Sequence, residues 1–419
     1  MTTQAEAARA AEMAARHSYS KLIAFLAART RDVAGAEDAL SEALAVALAE
    51  WPVSGVPRTP DAWLLTVARR KLVDALRRRH LDEDAAAHLQ WLADLPPDDA
   101  DEPVWPDRRL GLLFACAHPG IDRDVHAPLM LQVVLGFDAA TIASAFLVAP
   151  ATMSQRLVRA KTKIRQAGIA FEVPGSDALR ERLSAVLDAV YAAYAEGWSD
   201  PAGADARRRN LADEAIWLGR LAASLLPDEG EALGLLSLML HAHARRDARR
   251  DDAGDYVPLS EQDAARWDAA MIDEAEALLH RANRVACVPG RYQLEAAVQS
   301  AHAMRRHTGR IDWPAIERLY DALCELTGSP VAALNRAVAL AQTHGPTAGL
   351  AALDALATDA RLADYQPHWA ARADLLARSG RREQALQAYA QAIGLEAEPA
   401  VRRYLQQRAA VLQADAPTV

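Results

Sequence analysis

Aromatic residues make up only 5% of this 419-residue chain, and cysteine occurs three times, at Cys116, Cys287 and Cys324. The three cysteines are far apart and form no CxxC pair, which argues against a disulfide scaffold and a cysteine-based zinc site. They read as small buried apolar residues in a reducing compartment. No run approaches 18 uncharged apolar residues, and the polar start MTTQAEAARAAEMAARHS lacks the apolar stretch of a signal peptide. A cytoplasmic protein with no membrane partner is expected. A Gly-rich phosphate loop and a nucleophile motif are also missing. His241 and His243 are two apart, so on a helix they point to different faces and make a poor metal pair. His118, His126 and His302 have no cysteine or carboxylate neighbours at ligand spacing. The chain therefore reads as a non-enzyme with no cofactor and no metal. Long alternating β-branched runs are absent too. The hydrophobic 51% is mainly Ala, Leu and Val, with the strongest helix formers prominent, so the fold class is all-α, with two to four domains.

Charge divides the chain better than hydrophobicity does. The formal net charge is -9, yet two short segments, PDAWLLTVARRKLVDALRRRH and ATMSQRLVRAKTKIRQAG, are strongly cationic. Positive helices reserved on an acidic protein suit phosphate backbones. Residues 1–80 hold the first basic helix, 81–107 an acidic linker, 108–170 the second basic helix, and 171–419 a helical extension of net charge -8. The linker carries nine acidic residues, no Lys or Arg, and Pro96, Pro97, Pro103 and Pro106, which discourage a continuous helix.

In the first domain, AEDALSEALAVALAEW sets Ala36, Leu40, Leu44 and Leu48 four residues apart, with Ala43 and Ala47 beside them, an apolar stripe for a small bundle. Asp38 and Glu42 stand one turn apart and are both acidic, so they form either a solvated face or a ridge for a basic partner. After a Pro- and Gly-rich loop containing Arg58, Pro60 and Asp61 open the next helix. Leu65, Ala68, Leu72, Ala75 and Leu76 are its expected core face. Arg69, Arg70, Lys71, Arg77, Arg78 and Arg79 outnumber Asp74 and leave a positive patch. Trp63 beside it reads either as core or as a stacking surface for unpaired bases.

VHAPLMLQVVLGFDAATIASAFLVAPATMSQRLVRAKTKI reads as three helices. Gly136 ends the first and Asp138 caps the second. Leu147–Pro150 is the turn, and Met153, Leu157 and Ile164 face inward on the third. Ser154, Gln155 and Arg156 should then meet base edges, with Arg159, Lys161 and Lys163 holding phosphates.

On these residues the chain resembles the sigma-70 superfamily, in its compact extracytoplasmic-function form. AEDALSEALAVAL is similar to a region 2 helix, with Asp38 and Glu42 at its polymerase-binding positions. PDAWLLTVARRKLVDALRRRH is similar to the promoter-melting and −10 helix, although Arg70 stands where Asn is usual. The helix-turn-helix resembles region 4, which binds the −35 element. The resemblance implies core RNA polymerase (its β′ coiled coil and β flap) and promoter DNA as partners. WAARADLLARSGRREQALQAYAQAIGLEAEP, with Trp369, Ala373, Gly380, Ala385, Tyr389 and Ala392, resembles a tetratricopeptide repeat. Ala339 and Ala351 stand one 34-residue period earlier, marking a degenerate copy. Such repeats imply a concave surface for a protein or peptide partner. The alternative, a one-component regulator with a helix-turn-helix and a repeat sensor, leaves the Trp63–Arg79 motif without purpose.

Overall fold

The computed structural model describes residues 4–79, 108–146, 148–198, 206–286 and 288–414, so the acidic linker 81–107 and Cys287 lie outside the described residues. Helices dominate and no strand occurs among the described residues; a single β-bridge joins Arg250 and Tyr256. The chain divides into two compact units, 1–196 and 197–419.

The first unit begins with α1 (Gln4–Thr30), α2 (Val33–Ser54) and α3 (Pro60–Arg79). Asp32 caps α2, its carboxylate accepting from the Gly35 N–H at 3.0 Å. Ser18 on α1 donates to the Asp61 carboxylate in the first turn of α3 at 2.5 Å, pinning the two helices. Leu22, Ile23, Leu26, Leu40, Trp51, Leu64 and Leu72 close the core between them. The buried stripe of α2 is Ala36, Leu40, Ala43, Ala47 and Trp51, and Leu48 is 51% exposed. Four-residue steps gain about 40° per step on a helix of 3.6 residues per turn, so a stripe begun at Ala36 has rotated off the core by Leu48.

Next come α4 (Arg109–Cys116), α5 (Arg123–Leu135), α6 (Ala139–Ala145) and α7 (Pro150–Gln166), which pack around Leu113, Phe114, Leu129, Met130 and Leu157. Then α8 (Ser176–Trp198) follows. The sequence places the extension's start at 171, whereas residues up to 196 fold with the first unit. Phe171 is buried and its carbonyl crosses α4 so closely that a Cβ on Gly111 would sit 2.3 Å from it. Arg182 on α8 donates to the Phe114 carbonyl at 2.8 Å.

The second unit is built on α10 (Gly230–His243), which is buried nearly all round and flanked by α9 (Ala206–Leu225), α11 (Ala269–Val285) and α12 (Arg291–Ala303). Glu231 reaches from α10 to the start of α12, its carboxylate accepting from the Tyr292 and Gln293 N–H groups at 3.1 Å each. The remaining helices, α13 (Trp313–Thr327), α14 (Pro330–His344), α15 (Pro346–Asp354), α16 (Gln366–Arg378), α17 (Arg382–Leu395) and α18 (Pro399–Ala414), stack in sequence. In the hairpin of α16 and α17, Ala373, Ala385, Tyr389 and Ala392 are all buried, and Gly380 supplies the turn at φ 74°.

The copy before it departs from the 34-residue register. Ala339 is buried, but Ala351 is exposed. The turn after α14 is shorter, so α15 starts at Pro346, and its fourth residue, Gly349, takes the place that Ala385, fourth in α17, takes later. A Cβ on Gly349 would lie 2.5 Å from the Ala341 Cβ and 2.8 Å from the Ala337 carbonyl, so only glycine fits this crossing.

Candidate nucleic-acid interface

The outward face of α2 is a ridge in which Asp38, Ser41, Glu42, Ala45, Leu48 and Ala49 are all exposed. Spacings of three and four residues put them on one side of the helix, mixing two carboxylates with apolar surface. Beyond them Val53 is 81% exposed. Glu42 is not without a cation nearby: Lys71 of α3 reaches across to it at 3.3 Å, an exposed pair of little energetic weight.

On α3, Leu64, Leu65, Ala68 and Leu72 turn inward, which leaves Arg70 exposed and Arg69 half-buried. The side chains of Leu76, Arg77, Arg78 and Arg79 lie outside the described residues. Arg58 is exposed in the loop before α3. Trp63 is half-buried, its ring edge-on to buried Trp51, with centroids 5.4 Å apart and planes at 66°. The contact fixes one edge of the indole and still leaves part of the ring accessible.

The geometry of α5, α6 and α7 is set by two caps. Gly136 ends α5 in the left-handed conformation at φ 72°. Asp138 then holds the first turn of α6, accepting from the Ala140 and Thr141 N–H groups at 2.9 and 2.8 Å. Ile142 and Ala143 are buried beneath α7, whose inner face is Met153, Leu157, Ala160 and Ile164. Ser154, Gln155, Arg156, Arg159 and Lys163 are exposed.

Lys161 is placed differently from its neighbours. Its Nζ meets the Glu37 carboxylate of α2 at 2.8 Å, with the side chains only 13% and 15% exposed. Burial raises the Glu37 carboxyl above the usual carboxylate range, and Lys161 pulls it back. One turn on, Arg165 reaches the buried Asp32 at 3.5 Å. Tyr19 of α1 packs under Gly136. The basic helix α7 is therefore held against the first helical bundle by two ion pairs, with Ser154, Gln155 and Arg156 at its start exposed. Position alone could not reveal Glu37, since its partner is more than a hundred residues away.

A family model described as sigma-70 region 2 matches residues 15–81, and one described as a family of unknown function (DUF6596) matches residues 182–283. The chain is 39% identical over 390 residues to "Uncharacterized protein R00370" of Rhizobium meliloti (strain 1021), covering 92% of this chain and 91% of that protein. No solved structure matches. The region 2 match spans α2, the loop with Arg58 and α3, the elements whose ridge and cationic face were described above. The chain belongs to one family with the Rhizobium protein and carries a sigma-70 region 2 domain, which supports a sigma-70 family member with a role in promoter recognition and transcription initiation and implies binding to core RNA polymerase and promoter DNA.

Proposed function

We propose that the protein is an alternative sigma factor of the extracytoplasmic-function type whose helical extension modulates its activity. In this reading the ridge of Asp38, Glu42 and Leu48 docks on the β′ coiled coil of the polymerase. Arg58, Trp63, Arg69, Arg70 and Lys71, continued by Arg77, Arg78 and Arg79, hold the −10 strand, with Trp63 offering an aromatic face to an unstacked base. The helix-turn-helix engages the β flap and reads the −35 duplex through Ser154, Gln155 and Arg156, while Arg159 and Lys163 bind phosphate. The observation that carries the reading is the coexistence of two exposed cationic helices in one region 2-containing unit of an acidic chain.

The ion pairs Lys161–Glu37 and Arg165–Asp32 then acquire a role. A compact unit of 196 residues spans roughly 40 Å. Promoter elements about 25 base pairs apart lie about 85 Å apart along B-form DNA. Engaging both elements requires α7 to leave α2, and Lys161 then becomes available for phosphate. The packed arrangement is thus a free form, and the bound form is open.

The extension offers an open groove of about 820 Å³ along α16 and α17, lined by Trp369, Arg372, Gln384, Gln387 and Gln391, a surface suited to a protein or peptide partner. Promoter-dependent transcription by the full chain and by a chain ending at 196 tests modulation: unequal activity is expected, and equal activity in every condition contradicts it.

A further inference from the structure

The second unit also holds a half-open cavity of about 520 Å³, separate from that groove and unused by the reading above. Four helices present residues to it at spacings that keep them on one helical face. Gln299 and His302 come from α12, Trp313, Ile316 and Tyr320 from α13, Asn335, Val338 and Gln342 from α14, and Tyr404, Leu405 and Arg408 from α18. Tyr389 of α17 completes an aromatic lining of four large rings. His302 stands edge-on to Trp313, with ring centroids 5.6 Å apart, and fixes one of them.

Stacked helical hairpins ordinarily leave an open concave face. Here the loop after α10 is tied to the last helix, α18, and the residue just before it. Arg250 pairs with Glu398, Arg403 donates to Asp255 at 2.8 and 2.9 Å, and Tyr256 meets Tyr404 edge-on with centroids 5.6 Å apart. Arg305 donates to the Leu259 and Ser260 carbonyls at 3.1 and 2.7 Å, fastening the loop that forms part of the wall. The groove becomes a half-open chamber. Its volume falls in the range of small-molecule sites, roughly 300–1,000 Å³, and is far above the voids a packed core leaves.

The wall chemistry selects the occupant. Arg245 places a permanent positive charge in it although the residue is only 8% exposed, and its Nη2 donates to the Gln299 carboxamide oxygen at 2.6 Å. That bond orients Gln299 with its carbonyl turned to the arginine, so the amide N–H groups are the ones left for the chamber. Arg408 adds a second cation at the rim, where it also pairs with Asp374. Of the two lining carboxylates, Asp374 is engaged by Arg378 at 3.4 Å and Arg408 at 3.3 Å, and Glu261 is exposed at the mouth. Aromatic walls with two arginines and three carboxamides suit a planar apolar body bearing one anionic group.

We infer that this chamber is a binding site for a small aromatic carboxylate, which Arg245 and Arg408 meet at its anionic end while Asn335, Gln342 and Gln299 contact its polar edges. The test is titration calorimetry on the full chain with indole-3-acetate and 4-hydroxyphenylacetate, set against indole-3-acetamide and 4-hydroxyphenylacetamide. One-to-one saturable binding of at least one acid is expected, ten-fold or more tighter than its amide. Arg408→Gln and Asn335→Leu should each weaken it ten-fold or more while circular dichroism stays unchanged. Arg408 is half-exposed, so its removal spares the fold even where Arg245→Gln does not. The assignment is overturned by any of three results: neither acid saturating, an amide binding as well as its acid, or both folded variants binding like the parent. Binding of extended peptides alone, with neither acid bound, overturns it as well.

Discussion

Lys161 and Glu37 show how one contact reassigns a residue. By periodicity Lys161 belongs with the phosphate-facing cations of α7, yet in the packed first unit it pairs with a carboxylate whose pKa burial pushes up. Lys161→Met strands that carboxylate and should cost about 1–3 kcal/mol in urea unfolding, and adding Glu37→Gln should restore most of it. Additive losses in the double variant would show that the pair is not coupled. His302 gives a pH prediction. Its burial, with Arg245 and Arg305 nearby, lowers its pKa from the ordinary 6.5 to about 4, so the native state holds the neutral ring. The associated stability is intact above about pH 6.5 and is lost as pH falls toward 4, at about 1.4 kcal/mol per pH unit. Between pH 7 and pH 5 the parent should lose about 2 kcal/mol that His302→Gln does not. Parallel pH profiles for the two proteins would refute this.

At the scale of elements, the proposed reading divides α7 into a base-reading end and a phosphate-holding end. Gln155→Ala and Arg156→Ala should each relax −35 selectivity by about 1–3 kcal/mol. Arg159→Ala should weaken binding to all sequences and reduce the salt slope by about one. A changed sequence preference from Arg159→Ala, with none from Gln155→Ala, would reverse the assumed orientation of the helix. The helices, the caps at Gly136 and Asp138 and the inner face of α7 were legible because each depends on local spacing and local hydrogen bonds. Leu48 was not, because counting in fours ignores the rotation that accumulates along a helix. Gly349 was hidden for a related reason: the shorter turn before α15 shifts the repeat by two residues, so a fixed period points to exposed Ala351 instead. The first unit's packing runs past 171, where Phe171 and Arg182 continue it beyond the basic helix, and no composition change marks the division at 196.

For the whole molecule, the proposed reading requires that the first unit open. Fluorophores at exposed Val53 and Val158 should report a separation that grows by tens of ångströms when core polymerase and promoter DNA are added, by the span argument above. Glu37→Lys, which repels Lys161, should shift the free protein toward the longer separation. The central claim is that this chain lends start-site choice to an enzyme that lacks it. Run-off transcription with sigma-free core polymerase on a library of promoter fragments tests that directly. The account predicts discrete transcripts from a shared two-element motif, made by the full chain or by the chain ending at 196, and abolished by Arg70→Ala with Lys71→Ala. Absence of promoter-specific transcripts with both forms of the chain would contradict it.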